Sequence, residues 1–410
     1  MGNVFIYLIL FIEAFCIEEK FIKYPFKTNF GGYYMELFIG NPTQKIYHGI
    51  DQGLTVTWTD YSMYSPDKSS TKHIIKDDTQ LKFQYMRLYG KEITDDIIFL
   101  NDNKKDIIMN SFPFFLISNS RGYNSRVGGI GLAYKFTDTK YSLVHQLKQH
   151  NLISSLSFSL IPPNQNENNG TIYFGPIPLE LTYNKKISSC SIVGRYANWA
   201  CDLSYIFFGE ISYVYDNVYF NNKDYAYFQS AEKRILAPGK FMKYLNSTVF
   251  KEHIQNKKCF YEMYGMNFQF QCNCDIGYSL PDFNFVFDSI SYTFTAKDLF
   301  EINHGDVCNF LIVSNHIRDN NWIFGTSFLK HYITKFDYED KSVNFYYSSD
   351  KKVEAVDLDA IFPWKRILRY IGYFALVLVS LSIVVYVIMR LKAKKKRKMK
   401  RLIEQVGQQL

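Results

Sequence analysis

Twenty consecutive uncharged residues, Tyr370–Met389, divide this chain of 410 residues into a large body and a short tail. A helix of that length rises about 30 Å, one hydrocarbon core. Its apolar residues run all the way round, so a buried amphipathic core helix fits it poorly. Behind it, residues 390–410 hold nine Lys and Arg against one acid, Glu404, and so carry the whole formal net charge of +8. On the other side stand Lys365, Arg366 and Arg369. The positive-inside rule then expects a cytosolic tail and a lumenal or extracellular body, a single-pass type I membrane protein of the secretory pathway or cell surface. The basic run is expected to hold that topology and to touch anionic lipid. No basic face remains on the body, so nucleic-acid binding has no support.

The N-terminal apolar run at residues 4–16 is too short to span a bilayer. It fits the apolar core of a signal peptide, residues 1–16, although Glu13 lies late in it; a buried strand is the competing reading. A lumenal body suits six cysteines, Cys190, Cys201, Cys259, Cys272, Cys274 and Cys308, an even count that suggests disulfides. Cys272-Asn-Cys274 does not have zinc-ligand spacing, and neither a metal nor a cofactor is expected. Asn169-Gly-Thr171 and Asn246-Ser-Thr248 are candidate glycosylation sites. The 33 Tyr and 36 Phe favour strands, and frequent Gly, Asn, Asp and Pro break the body into short ones, so an all-β body is expected.

Within it, Tyr34–Ile39 alternates with a strand period, Gly40-Asn41-Pro42 turns, and Lys45–Ile50 delivers Asp51 onto a loop containing Gly53, with Trp58 seven residues beyond the Asp. This stretch resembles the first active-site loop of pepsin-like aspartic proteases. The resemblance covers roughly residues 30–348. Gly128-Gly-Ile-Gly-Leu-Ala-Tyr134 is similar to the family's segment beneath the first Asp, and lacks the Lys-Ser/Thr of a phosphate loop. Leu280-Pro-Asp-Phe-Asn-Phe and Trp322-Ile-Phe-Gly325-Thr-Ser-Phe-Leu-Lys-His-Tyr332, followed by Phe336-Asp337, resemble the family's second lobe and its close. Tyr85 resembles the Tyr of the flap hairpin, whose hydroxyl would meet the Trp58 ring. The flap's glycines are missing from Tyr85-Met-Arg-Leu-Tyr89. Cys272 or Cys274 upstream of Cys308 matches the lobe's usual disulfide.

The resemblance implies a bilobal pepsin-like acid protease fold with a C-terminal transmembrane helix. Its parts are expected at 17–178 and 179–350 for the lobes, 351–369 for a linker, 370–389 for the helix and 390–410 for the tail. It also implies a second catalytic Asp in the segment from Ala226 to Pro238, and there Gln229 occupies the Asp position. The chemistry needs two carboxylates sharing a proton and activating a water. Gln cannot ionise. The hydroxyls that orient the carboxylates become Leu54 and Glu232, and the threonines that lock the two loops together become Gln52 and Ser230, so the supporting structure is expected to be degraded too. Adjacent Asp95 and Asp96 are not a substitute pair, since neighbouring strand residues point to opposite faces. The expectation is an inactive protease homologue whose cleft binds a peptide or protein. The alternatives are a divergent active endopeptidase using Asp51 with Glu232, and a scaffold with a vestigial cleft.

Overall fold

The computed structural model describes residues 19–29, 31–82, 87–100, 106–121, 128–135, 139–164, 167–193, 198–209, 211–213, 225–264, 267–315, 321–348, 353–355 and 363–407. It divides into two compact units, Met1–Glu354 and Ala355–Leu410. The expected signal segment and Tyr85, expected in the flap, lie outside the described residues.

The first unit is built of strands, as the aromatic, turn-punctuated composition requires. Along Gly32–Ile39, Tyr33, Met35, Leu37 and Ile39 are buried while Tyr34, Glu36 and Phe38 are only partly covered, so the period-two pattern is the burial pattern. A thirteen-stranded sheet joins the two halves of the chain. It begins with Lys186–Ser191, Ser342–Tyr347 and Tyr332–Asp337, passes to Ser157–Ile161 and Asn169–Phe174, and continues through Ile22–Asn29, Gly32–Ile39 and Gln44–Asp51. It ends at the hairpin of His73–Lys82 with Arg87–Phe99. Phe158 stacks on Phe336 at 4.7 Å where the halves meet, with Trp199 and Tyr338 against them. A second sheet runs from Ile312–Asn315 through Ile235–Pro238, Asn321–Phe324, Tyr225–Phe228 and Ala200–Phe208 to Phe283–Phe287 and Ile290–Phe294. A four-stranded sheet of Cys259–Tyr264, Asn267–Asn273, Val307–Phe310 and Phe300–His304 completes the unit.

The two halves repeat one device. Gln44–Asp51 pairs in parallel with Gly128–Gly131, and Tyr225–Phe228 pairs in parallel with Asn321–Phe324. Each parallel pair carries one loop out of its sheet, ending in Asp51 or leading into Gln229. The glycine run 128–131 is needed for contact rather than for a ligand. A Cβ on Gly129 would meet Trp58 Nε1 at 2.6 Å, and one on Gly131 would meet the Val56 backbone at 2.7 Å. A short helix forms at Leu143–Gln149, with the Ser142 hydroxyl accepting from the His145 amide.

Residues 65–78 are polar and turn-rich in sequence, yet the strand His73–Lys82 begins inside them. It is the last strand of its sheet; Ile74 and Ile75 are both exposed, and its register slips twice. An edge strand covered on neither side has no alternation for the sequence to display.

Among the described residues, the second unit contains one helix, Pro363–Gly407. Within it Tyr373–Lys394 is long and apolar enough to cross a membrane, with mean hydropathy 2.5 and none of that window buried. The hydroxyls of Ser380 and Ser382 donate back to the carbonyls of Leu376 and Leu378, so they present no unmet donor along the apolar run.

Candidate functional site

Asp51 ends its strand with its own carbonyl accepting from the Leu132 amide at 3.0 Å. Its carboxylate turns back over the loop, where Oδ1 accepts the Gly53 amide at 2.7 Å. A Cβ at Gly53 would press on that oxygen at 3.2 Å, so the glycine keeps the approach open. Gln229 enters from the second half, its amide donating to the Phe324 carbonyl at 3.0 Å. Its side-chain Nε2 faces both carboxylate oxygens of Asp51, 3.2 Å from Oδ1 and 3.4 Å from Oδ2. Two residues 178 apart in sequence are thus brought to hydrogen-bond distance. The interaction is one-directional: an amide donates and a carboxylate accepts, and no proton is shared.

The lock between the loops is not lost, contrary to the sequence expectation. Gln52 Nε2 donates to Ser230 Oγ at 3.0 Å, and the Ser230 amide donates to Gln52 Oε1 at 2.7 Å. Ser230 Oγ in turn donates to the Ile50 carbonyl at 2.7 Å. Both side chains are fully buried. A carboxamide carries a donor and an acceptor on one rigid plane, so Gln52 engages the opposite loop at two atoms. Gln52→Ala removes both bonds and strands the buried Ser230 amide. It is expected to cost about 2–4 kcal/mol, read as a lower denaturant midpoint at unchanged slope.

Glu232 Oε1 accepts the Arg234 amide at 3.0 Å within its own loop. Lys233 pairs with Glu301 rather than with Glu232. Burial, then the charges of Glu232 and Asp51, raises the Tyr34 hydroxyl above its usual range, so that ring lies in the field of both acids. Trp58 is buried with Val56, Phe115, Ile117 and Tyr141 in an apolar cluster that Leu54 joins from the Asp51 loop. Leu54, where an orienting hydroxyl was expected, therefore serves packing. Asp95 is buried and accepts from the Tyr64 and Thr71 hydroxyls, whereas Asp96 accepts the Ser111 amide at 3.0 Å.

The cysteines join as Cys190–Cys201, Cys259–Cys272 and Cys274–Cys308. Of the two residues open for pairing with Cys308, Cys274 is the one bonded. Asn169 opens the strand Asn169–Phe174 and Asn246 lies in the helix Gly239–Ser247, both exposed. Sequence reasoning passed over His48, three residues before Asp51 on the same strand. It is fully buried beside Gly128, and nothing but burial distinguishes it.

The model of the eukaryotic aspartyl protease family matches residues 32–347. Among solved structures, the aspartic proteinase from Irpex lacteus is similar at 14% identity and a TM-score of 0.63, covering 80% of this chain and 98% of that one. At that identity the likeness speaks for the fold alone. No curated protein sequence gives a significant match.

Proposed function

The chain belongs to the eukaryotic aspartyl protease family, and on that premise we propose that it is a membrane-anchored member that binds a peptide or protein between its loops without hydrolysing it. The observation that carries the reading is the Gln229 carboxamide donating to both oxygens of Asp51. A dyad works because two like charges cannot both ionise at contact, so one carboxyl keeps a proton for the leaving group while the other takes one from water. An amide neither takes nor gives that proton. Glu232 is engaged by its own loop, which weighs against its serving as the missing acid. The preserved lock favours a binding role over a decayed scaffold: both loops are still held together although the proton relay is gone.

The helix Pro363–Gly407 supplies the anchor in this reading, and three disulfides suit a lumenal or extracellular body. The test is cleavage of a diverse peptide library by the purified full chain in detergent from about pH 3 to 7, the range in which carboxyl pairs titrate. No turnover is expected, and Asp51→Ala is expected to change nothing in that assay. Turnover that disappears in Asp51→Ala would overturn the proposal. Retained binding of a non-cleavable peptide inhibitor, weakened by Asp51→Ala, is the positive result.

A further inference from the structure

The four-stranded sheet and the short helix that follows Asn267–Asn273 hold four of the six described cysteines. Cys272 stands directly opposite Cys259 on one neighbouring strand and directly opposite Cys308 on the other. Opposed residues of an antiparallel ladder point to the same face, so Cys259, Cys272 and Cys308 form a row across the sheet. Yet the bonds run from Cys272 to Cys259 and from Cys308 to Cys274, two residues beyond Cys272. Opposed Cα atoms lie about 4.5–5.5 Å apart, inside the roughly 4.4–6.8 Å that a disulfide spans. A Cys272–Cys308 bond is therefore within Cα reach, the two Cβ atoms drawing together as it forms. We propose that these four cysteines form an exchangeable relay, with Cys274 as the point of entry for a small thiol and Cys272–Cys308 as the second pairing.

Burial sets the direction. Cys259, Cys272 and Cys308 are buried, whereas Cys274 is only partly so. A thiolate from solvent reaches Cys274 Sγ first. Its attack forms a mixed disulfide on Cys274, breaks the Cys274–Cys308 bond and leaves Cys308 as a thiolate. The Tyr278 hydroxyl, 3.5 Å from Cys308 Sγ, is placed to donate to that charge. Cys308 then attacks Cys272 Sγ across the ladder. The Cys272–Cys308 bond forms, the Cys259–Cys272 bond breaks, and Cys259 leaves as a thiolate that takes a proton from water. Both steps are thiol–disulfide exchange. One thiol enters and one is released, with no net oxidation, so no other oxidant or reductant is needed. The crosslink moves from the edge strand Cys259–Tyr264 to the middle of the sheet, and the helix Cys274–Tyr278 is untied from Val307–Phe310.

The test treats the full chain with reduced glutathione, quenches in acid, alkylates under denaturing conditions and maps linked peptides by mass spectrometry. The expected products are a Cys272–Cys308 linked peptide, alkylated Cys259 and glutathione on Cys274. Modification confined to Cys274 and Cys308, with Cys259–Cys272 intact, would overturn the relay; so would no modification while the chain remains folded. A Cys274→Ser variant gives a second reading without added thiol. It is expected to be recovered mainly with Cys272–Cys308 joined and Cys259 free, and recovery with Cys259–Cys272 joined and Cys308 free counts against the proposal. Should that variant fail to fold, the glutathione experiment decides alone.

Discussion

Gln229→Asp is expected to give this chain acid-dependent peptide cleavage where none is expected of the parent. The argument rests on what surrounds position 229. The Gln229 amide is fixed to the Phe324 carbonyl, and the next residue, Ser230, is bonded to Gln52 and Ile50 of the opposite loop. A carboxylate placed there is held by the same main chain across from Asp51. Two carboxylates at that spacing push each other's proton affinities apart, so one stays protonated into the weakly acid range. Positioned general acid–base catalysis is worth about 10²–10⁴-fold, and the low end is expected. The resemblance expects orienting hydroxyls where Leu54 and Glu232 stand, and Leu54 instead joins the apolar cluster around Trp58. The isosteric Gln229→Glu puts an oxygen where Nε2 now lies, 3.2 Å from Asp51, and is expected to show the shared proton even if it cleaves poorly. The measurement is cleavage of a peptide library against pH, with Asp51→Ala added to each variant as the control. Folded variants that cleave nothing at any pH would mean the site has lost more than its second carboxylate.

The fold was legible wherever a motif combines a turn with buried aromatics. Trp322 to Phe336 reads directly as the strand Asn321–Phe324, the helix Thr326–Leu329 and the strand Tyr332–Asp337, because Trp322, Phe324, Phe328, Tyr332 and Phe336 are all core residues. The edge strand at His73 was not legible, because residues 73–78 are exposed on both faces. At the site, the resemblance implied that Asp51 faces Gln229, and the two side chains are in contact. The lock was misread, because Gln52 and Ser230 each look like the loss of a threonine until the two are seen together. Complementarity between residues 178 apart leaves no local trace. Likewise the spacing of Cys272 and Cys274 leaves two partners open for Cys308; the chosen bond depends on where the turn after Asn273 carries Cys274.

A loss of stability on mild acidification is the second large effect expected. The His48 ring is fully buried, with neither nitrogen in hydrogen-bond geometry with a partner among the described residues. Burial lowers it from the usual 6.5 to about 4, and the Ile46 backbone opposes this only in part. The folded state therefore holds the neutral ring while the unfolded chain takes up a proton from about pH 6.5 downward. Stability is fully present above that pH and falls as the pH drops toward 4, by roughly 3 kcal/mol in all. Burial also lowers His145, which adds in the same sense. Glu36 acts lower down: burial opposes ionisation, but Lys27 and Lys45 hold its carboxyl at about 2, so its contribution fades only between about pH 4.5 and 2. The check is the denaturant midpoint of the full chain at pH 7.5, 6, 5 and 4, compared with His48→Phe. The parent is expected to weaken steadily over this range and the variant much less; parallel curves would remove His48 as the cause. The prediction bears on function as well as on folding. A shared-proton dyad operates in acid, whereas this chain buries an imidazole three residues before Asp51, on the strand that carries the site. A working acid protease would have to tolerate that proton. A binding protein used near neutral pH would not meet it.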